Sequence, residues 1–90
     1  MEITDIRIRK FSDDSKMRAI VSVTFDDTLV VHDIKIIESQ DKTFLAMPSR
    51  RLPNGAFSDI AHPTKKDFRE KIEKAVLDEF DRYKQGELEN

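Results

Sequence analysis

KMRAIVSVTFDDTLVVHDIKIIE, residues 16–38, is the stretch that decides the fold. Apart from one isoleucine, residues 16–25 alternate between apolar and polar side chains, which predicts an antiparallel strand with one buried face. Residues 28–38 are apolar on both parities, which indicates a strand in the centre of a sheet with both faces at least partly covered. Asp26 and Asp27 separate the two runs and predict a tight hairpin between them.

Three further strands are predicted outside this hairpin. They cover residues 3–10, 43–47 and, as a short fifth strand, 56–61. The polar turns FSDDSK and SQDK separate the first and fourth strands from the hairpin. Pro53, Asn54 and Gly55 form the strongest turn signal in the chain and precede the fifth strand.

After the fifth strand the hydrophobic period changes to that of a helix of about twenty residues. Thr64 is the predicted N-cap, Asp67 completes an acidic form of the capping box, and Gly86 is the predicted C-terminal stop. One face carries apolar side chains at spacings of three and four: Phe68, Ile72, Ala75, Val76, Phe80 and Tyr83. Leu77 points away from this stripe, and we expect it to contact a second subunit.

The predicted fold class is therefore α+β, an antiparallel sheet of four to five strands with a long C-terminal helix on one face. Ninety residues fit a single domain, predicted to span residues 1–85 and to leave a short, frayed acidic tail at 86–90. So small a domain buries a modest share of its surface, and without cysteine no disulfide can stabilise it. We therefore expect a homodimer.

Composition and the N-terminal pattern lead us to expect a cytoplasmic protein. Charged and hydrophobic residues each make up 38% of the chain, and the hydrophobic residues are clearly patterned. No apolar run approaches the ~20 residues of a membrane span. The N-terminal residues alternate and lack the apolar core of a signal peptide. We expect neither a membrane partner nor a signal sequence.

Residues suited to catalysis or to metal binding are sparse. The absence of cysteine excludes thiol catalysis and cysteine-based zinc sites. His32 and His62 are too few for a transition-metal site, and the two glycines, Gly55 and Gly86, cannot form a phosphate-binding loop. The serines occur in no GxSxG motif. We predict no enzyme activity, no cofactor and no metal.

Positive charge is concentrated in residues 49–74, which hold seven basic and four acidic residues. Arg50 and Arg51 stand in a segment between two prolines, expected to be a stiff loop, and the arginine fork pairs with phosphates or guanine edges. Three more basic side chains lie at the predicted helix start, where the helix dipole favours anions: Lys65, Lys66 and Arg69. If the loop folds beside the helix start, five basic side chains converge on a nucleic acid.

A second interpretation of the same charges stays open. The helix lysines and arginines alternate with Asp67, Glu70 and Glu73, as in an ordinary solvated helix with pairs at i,i+4. Arg50 and Arg51 could instead pair with a neighbouring subunit. Exposed aromatic residues that would stack on single-stranded bases are not evident, because the aromatic residues mostly fall on apolar faces.

Several stretches together resemble one protein family. They are ITDIRIRK at 3–10, MRAIVSVTFDD at 17–27, VVHDIKIIES at 30–39, FLAMPSRR at 44–51 and NGAFSDIAHP at 54–63. With them the chain resembles the SpoVG family, the bacterial stage V sporulation protein G or septation regulator. The resemblance extends from residue 1 to about residue 83.

The resemblance implies a fold, an oligomeric state and a function. The fold would be a twisted antiparallel sheet with a C-terminal helix, assembled as a homodimer. The function would be a DNA-binding, and possibly RNA-binding, regulator linked to sporulation and septation, with Ser49, Arg50 and Arg51 as its basic loop. The alternative is a regulator of septum formation that binds a division protein through a strand edge and Leu77.

Overall fold

The computed structural model describes residues 1–11, 16–84 and 86. In chain order its elements are β1 Ile3–Phe11, β2 Met17–Phe25, β3 Leu29–Ser39, β4 Lys42–Ala46, β5 Ser49–Arg51, β6 Phe57–Asp59 and α1 Lys66–Lys84. The α+β class is confirmed. Most of the FSDDSK turn and, except for Gly86, the predicted tail lie outside the described residues.

The main sheet is antiparallel in the order β1-β2-β3-β4, with the hairpin of residues 16–38 at its centre. Asp26 and Asp27 have φ angles of 54° and 52°. Two consecutive left-handed residues match the twist of the strands they join, and aspartate tolerates this conformation better than most residues. The amide of Thr28 donates to the carbonyl of Phe25 at 2.9 Å and closes the turn.

β3 is central, as predicted, but it is unevenly covered. Ile34 and Ile36 are buried, whereas Leu29 and Val30 are 51% and 44% exposed. The predicted partial cover of both faces is therefore weakest at the first residues of the strand. An open groove lies over Leu29 at this end of the sheet.

A bulge interrupts the pairing of the two central strands. Val21 pairs with Ile34 and Val23 with Val31, so Ser22 faces two residues of β3, His32 and Asp33. Asp33 adopts a φ of 65° to accommodate the extra residue. The buried Ser22 hydroxyl and Nδ1 of His32 lie 2.8 Å apart and share a hydrogen bond. His32 thus has a structural partner in the sheet.

The core forms between one face of the sheet and α1. From the helix, Ile72, Val76 and Phe80 are buried, and the rings of Phe25 and Phe68 lie 5.7 Å apart. Leu77 also packs against this core, so the prediction that it points to a second subunit is wrong. The apolar stripe of a core-facing helix is wide enough to include this position, three residues before Phe80.

The ends of α1 differ in how well they match prediction. The helix begins at Lys66, and the amide of Arg69 donates to the carbonyl of Lys65 at 3.0 Å, so Lys65 and not Thr64 is the N-cap. In the first turn, the amide of Phe68 donates to Oδ1 of Asp67 at 2.9 Å. Gly86 has a φ of 80° and ends the helix as predicted.

The predicted fifth strand does not join the main sheet. β5 and β6 form a separate two-stranded hairpin, and Arg50 and Arg51 lie within β5 instead of in a loop. Pro48 has no N–H to donate, which favours a break from the sheet at this point. Its carbonyl accepts the amide of Ile60 at 2.7 Å and starts the new hairpin.

Candidate nucleic-acid interface

The β5–β6 hairpin is closed by a compact turn. The amide of Leu52 donates to the carbonyl of Ala56 at 2.7 Å, and the amide of Gly55 donates to the carbonyl of Leu52 at 2.9 Å. Gly55 has a φ of 88°, and Oδ1 of Asn54 accepts the amide of Ala56 at 3.0 Å. This is a three-residue turn that ends in a left-handed glycine, so the hairpin has a defined shape.

The two arginines of the hairpin point in opposite directions. Arg50 pairs with Ser58 and Arg51 pairs with Phe57 across the two strands. Because successive side chains of a strand alternate between its faces, Arg50 and Arg51 occupy opposite faces of the ribbon. Both are exposed. Both can bind one ligand only if that ligand reaches around the ribbon.

The three basic residues at the start of α1 share one side of the helix. Lys65 and Arg69 are four positions apart, and Lys66 and Arg69 are three apart, so their side chains are neighbours. The two lysines are exposed and Arg69 is half-buried. The free amides and the dipole of the helix start add partial positive charge at this place.

In the described part of the chain, the predicted site residues have no acidic partners. Within residues 1–11, 16–84 and 86, no carboxylate lies within 4.0 Å of the basic groups of Arg50, Arg51, Lys65, Lys66 and Arg69.

Later in the helix the basic residues are paired. Lys74 contacts Asp78 at 3.1 Å, and Arg82 contacts Glu79 at 3.4 Å. The solvated-helix interpretation therefore describes the later turns of α1 and not its first turn.

The structure joins the base of the hairpin to the helix start. Met47, the segment Ala61–Thr64 and Phe68 line one apolar groove of about 270 Å³, together with Leu29 and Met1. From this base the strands extend at about 3.3 Å per residue, which places the Cα of Arg51 about 10 Å beyond Pro48. Arg50 and Arg51 thus belong to the hairpin, whereas Lys65, Lys66 and Arg69 belong to the helix start, and the convergence of all five side chains stays a prediction.

Two phenylalanines of the described chain are exposed, contrary to expectation. Phe57 is 70% exposed and lies opposite Arg51, and Phe44 on β4 is 41% exposed. Phe57 is an exception to the expectation that the aromatic residues mostly fall on apolar faces, whereas Phe44 lies opposite Ile37. The signal was present for Phe57, because strand alternation places it on the same face as the acidic Asp59 and not on an apolar one.

Two further features concern metals and membranes. Among the described residues, no group of three or more histidine, aspartate and glutamate side chains is placed to hold a metal ion. The helix of the described chain is not apolar over a length that could cross a membrane.

Comparison with known proteins gives one consistent result. The model of a family described as SpoVG matches residues 1–82. A protein of Clostridium novyi is 62% identical over 81 residues, which cover 90% of this chain and 81% of that protein. One from Clostridium perfringens is 60% identical over 84 residues, 93% of each chain. One from Caldanaerobacter subterraneus is 55% identical over 86 residues, 96% and 94% of the two chains. Each carries the name "Putative septation protein SpoVG".

Proposed function

The chain belongs to the SpoVG family, and on that premise we propose that it is a nucleic-acid-binding regulator that works as a homodimer in the cytoplasm. The names of its relatives link them to septation, and we extend that link to this protein. DNA is the proposed ligand, with RNA as a second one. Arg50, Arg51, Lys65, Lys66 and Arg69 would make the contacts.

The observation that carries the proposal is the absence of acidic partners for these five side chains in the described part of the chain. A positive charge without a carboxylate neighbour keeps its full attraction for phosphate. The protein as a whole has a net charge of −2, yet residues 49–74 carry a net +3. This local excess supports phosphate binding, since the phosphate backbone supplies most of the non-specific affinity for a nucleic acid.

A homodimer would present both basic groups twice. Two-fold symmetry suits a duplex with a palindromic site, because each half-site would meet the same surface. The exposed Leu29, Val30 and Phe44 leave apolar surface that a second subunit could cover.

Fluorescence anisotropy of a labelled 20-base-pair duplex tests the proposal. The variant Arg50→Ala/Arg51→Ala should bind about tenfold more weakly or worse, a loss of about 1.4 kcal/mol. Because both arginines are exposed, the variant should keep the thermal stability of the parent. The matched control is Lys74→Ala/Arg82→Ala, which removes the same number of charges from the paired part of the helix. Equal affinities of the parent and the arginine variant would contradict the proposal.

A second candidate function is a protein-interaction regulator of septum formation without direct nucleic acid binding. The apolar groove between Leu29, Met47 and Phe68 favours it, because such a groove accepts an apolar side chain of a partner. Leu77 no longer supports this function because it packs against the core. Salt discriminates the two functions: phosphate binding weakens steeply with ionic strength, and apolar contacts do not.

A further inference from the structure

One face of the β5–β6 hairpin pairs an exposed aromatic ring with an arginine. Phe57 is 70% exposed, and Arg51 lies directly opposite it on β5. Side chains that face each other across an antiparallel pair have Cβ atoms about 5 Å apart. The remaining residues of this face are Ser49 and Asp59, which pair with each other nearer the base of the hairpin.

The polar surroundings of Phe57 argue against an apolar protein contact at this face. Protein interfaces centre on contiguous apolar patches, and the other three side chains of this face are polar or charged. A lone ring beside a guanidinium group instead suits a nucleotide, which offers a flat base and a negative phosphate side by side. Base stacking on an aromatic ring is tolerant of base identity because every base has a π-face.

We propose that this face of the hairpin, formed by Ser49, Arg51, Phe57 and Asp59, binds unpaired nucleotides of single-stranded RNA or DNA. The ring of Phe57 stacks on one base while the guanidinium of Arg51 binds an adjacent phosphate. The inference rests on the proposed nucleic-acid-binding function and adds the class of ligand. Bases within a duplex are already stacked on their neighbours, so a protruding side chain reaches them only in single strands, loops and ends.

The charges of the face also orient the strand. The carboxylate of Asp59 repels phosphate at the base of the hairpin, whereas Arg51 attracts it near the turn. The bound phosphate therefore lies near the turn of the hairpin, and the sugar-phosphate backbone of the ligand stays away from the Asp59 end. The defined turn at Pro53 and Gly55 fixes the backbone that carries the two side chains before binding, which lowers the entropy lost on binding.

The test compares four ligands and three variants by fluorescence anisotropy. The ligands are labelled 20-mers of oligo-uridine, oligo-thymidine and an abasic deoxyribose-phosphate strand, and a 20-base-pair duplex. The variants are Phe57→Leu, which keeps an apolar side chain without a π-face, Phe57→Tyr, which keeps the ring, and Arg50→Ala/Arg51→Ala. The exposure of Phe57 means that its replacement should leave the fold intact, and circular dichroism checks this.

We expect Phe57→Leu to bind the two base-containing single strands about tenfold more weakly than the parent, a loss of about 1.4 kcal/mol. Phe57→Tyr should retain parental affinity. Neither variant should change the affinity for the duplex or the abasic strand, because those contacts are with phosphates. The parent should prefer oligo-thymidine over the abasic strand, and Phe57→Leu should lose that preference.

Three results would overturn the inference, and they differ in what they say about the proposed function. If Phe57→Leu binds oligo-uridine and oligo-thymidine like the parent while the arginine variant is weakened, stacking is wrong and phosphate binding stands. If the parent binds none of the four ligands at low salt, both the inference and the proposed function fail. Equal weakening of Phe57→Leu on all ligands, abasic strand included, would also overturn stacking.

Discussion

At the scale of the residue, the hydrogen bond between Ser22 and His32 shows how the sheet accommodates a polar side chain. Ser22 is 4% exposed between the buried Val21 and Val23, and a buried hydroxyl without a partner destabilises a fold. The bulge at Asp33 brings Nδ1 of His32 to 2.8 Å from it. The sequence indicated the apolar alternation of β2, but the extra residue that creates this contact depends on the pairing with β3.

Because of this arrangement, His32→Ala should lower the free energy of unfolding more than Ser22→Ala. His32→Ala leaves the buried hydroxyl without its partner and should lower the free energy of unfolding by about 1 kcal/mol, at the low end for such groups because His32 is exposed and water can enter. Ser22→Ala removes the hydroxyl itself and should be nearly neutral. Urea denaturation measures both. A larger loss for Ser22→Ala than for His32→Ala would refute this account of the pair.

The sequence identifies the basic residues of the candidate site, but it does not show whether each of them has an acidic partner. A high local density of arginine and lysine can be counted directly from the sequence. Whether each charge has an acidic partner depends on the fold: Lys71, in the same helix, pairs with Glu2 from the first residues of the chain at 3.7 Å. No spacing rule within the helix predicts such a contact.

At the scale of the element, the helix and every strand except β5 were predictable. β2, β3 and α1 each carry enough residues for their period to be read, and their bounds match prediction within about two residues. β5 has three residues, too few to show alternation, whereas β6 lies within the predicted strand 56–61. The pairing of β5 with β6 depends on the break at Pro48 and on the turn at Gly55. Because β5 itself was not predicted, the arginines were expected in a loop.

The hairpin should depend on the left-handed conformation of Gly55. A Cβ at this position would contact nothing within 4 Å, so Gly55→Ala tests the backbone alone. A φ of 88° should cost an alanine about 1–2 kcal/mol, and the cost should appear as opening of the hairpin. In hydrogen exchange the amide of Leu52, which donates to Ala56, should exchange about tenfold faster or more.

Gly86→Ala is the matched control for that experiment. Gly86 has a similar φ of 80° and equally open surroundings, but it lies at the end of α1. Gly86→Ala should leave the hydrogen exchange of the Leu52 amide unchanged. Unchanged exchange in Gly55→Ala, or equal acceleration in both variants, would show that the turn does not depend on this glycine.

At the scale of the whole molecule, composition concealed the feature that the proposed function uses. A net charge of −2 gives no sign of phosphate binding. The fold separates the charges: the later turns of α1 pair their basic residues with carboxylates, while the helix start and the β5–β6 hairpin expose theirs. The α+β class and the helix on the sheet were predictable because they follow from burial of apolar faces. The placement of Arg50 and Arg51 in a separate two-stranded hairpin was not.

The salt dependence of duplex binding tests the central claim most directly. The logarithm of the binding constant of a 20-base-pair duplex should fall linearly with the logarithm of salt concentration, with a slope of about −0.9 per phosphate contacted. Lys65→Ala/Lys66→Ala and Arg50→Ala/Arg51→Ala should each make the slope shallower by about two, one for each lost contact. Lys74→Ala/Arg82→Ala should keep the parental slope. A parent that does not bind at low salt, or variants that all share one slope, would contradict the account.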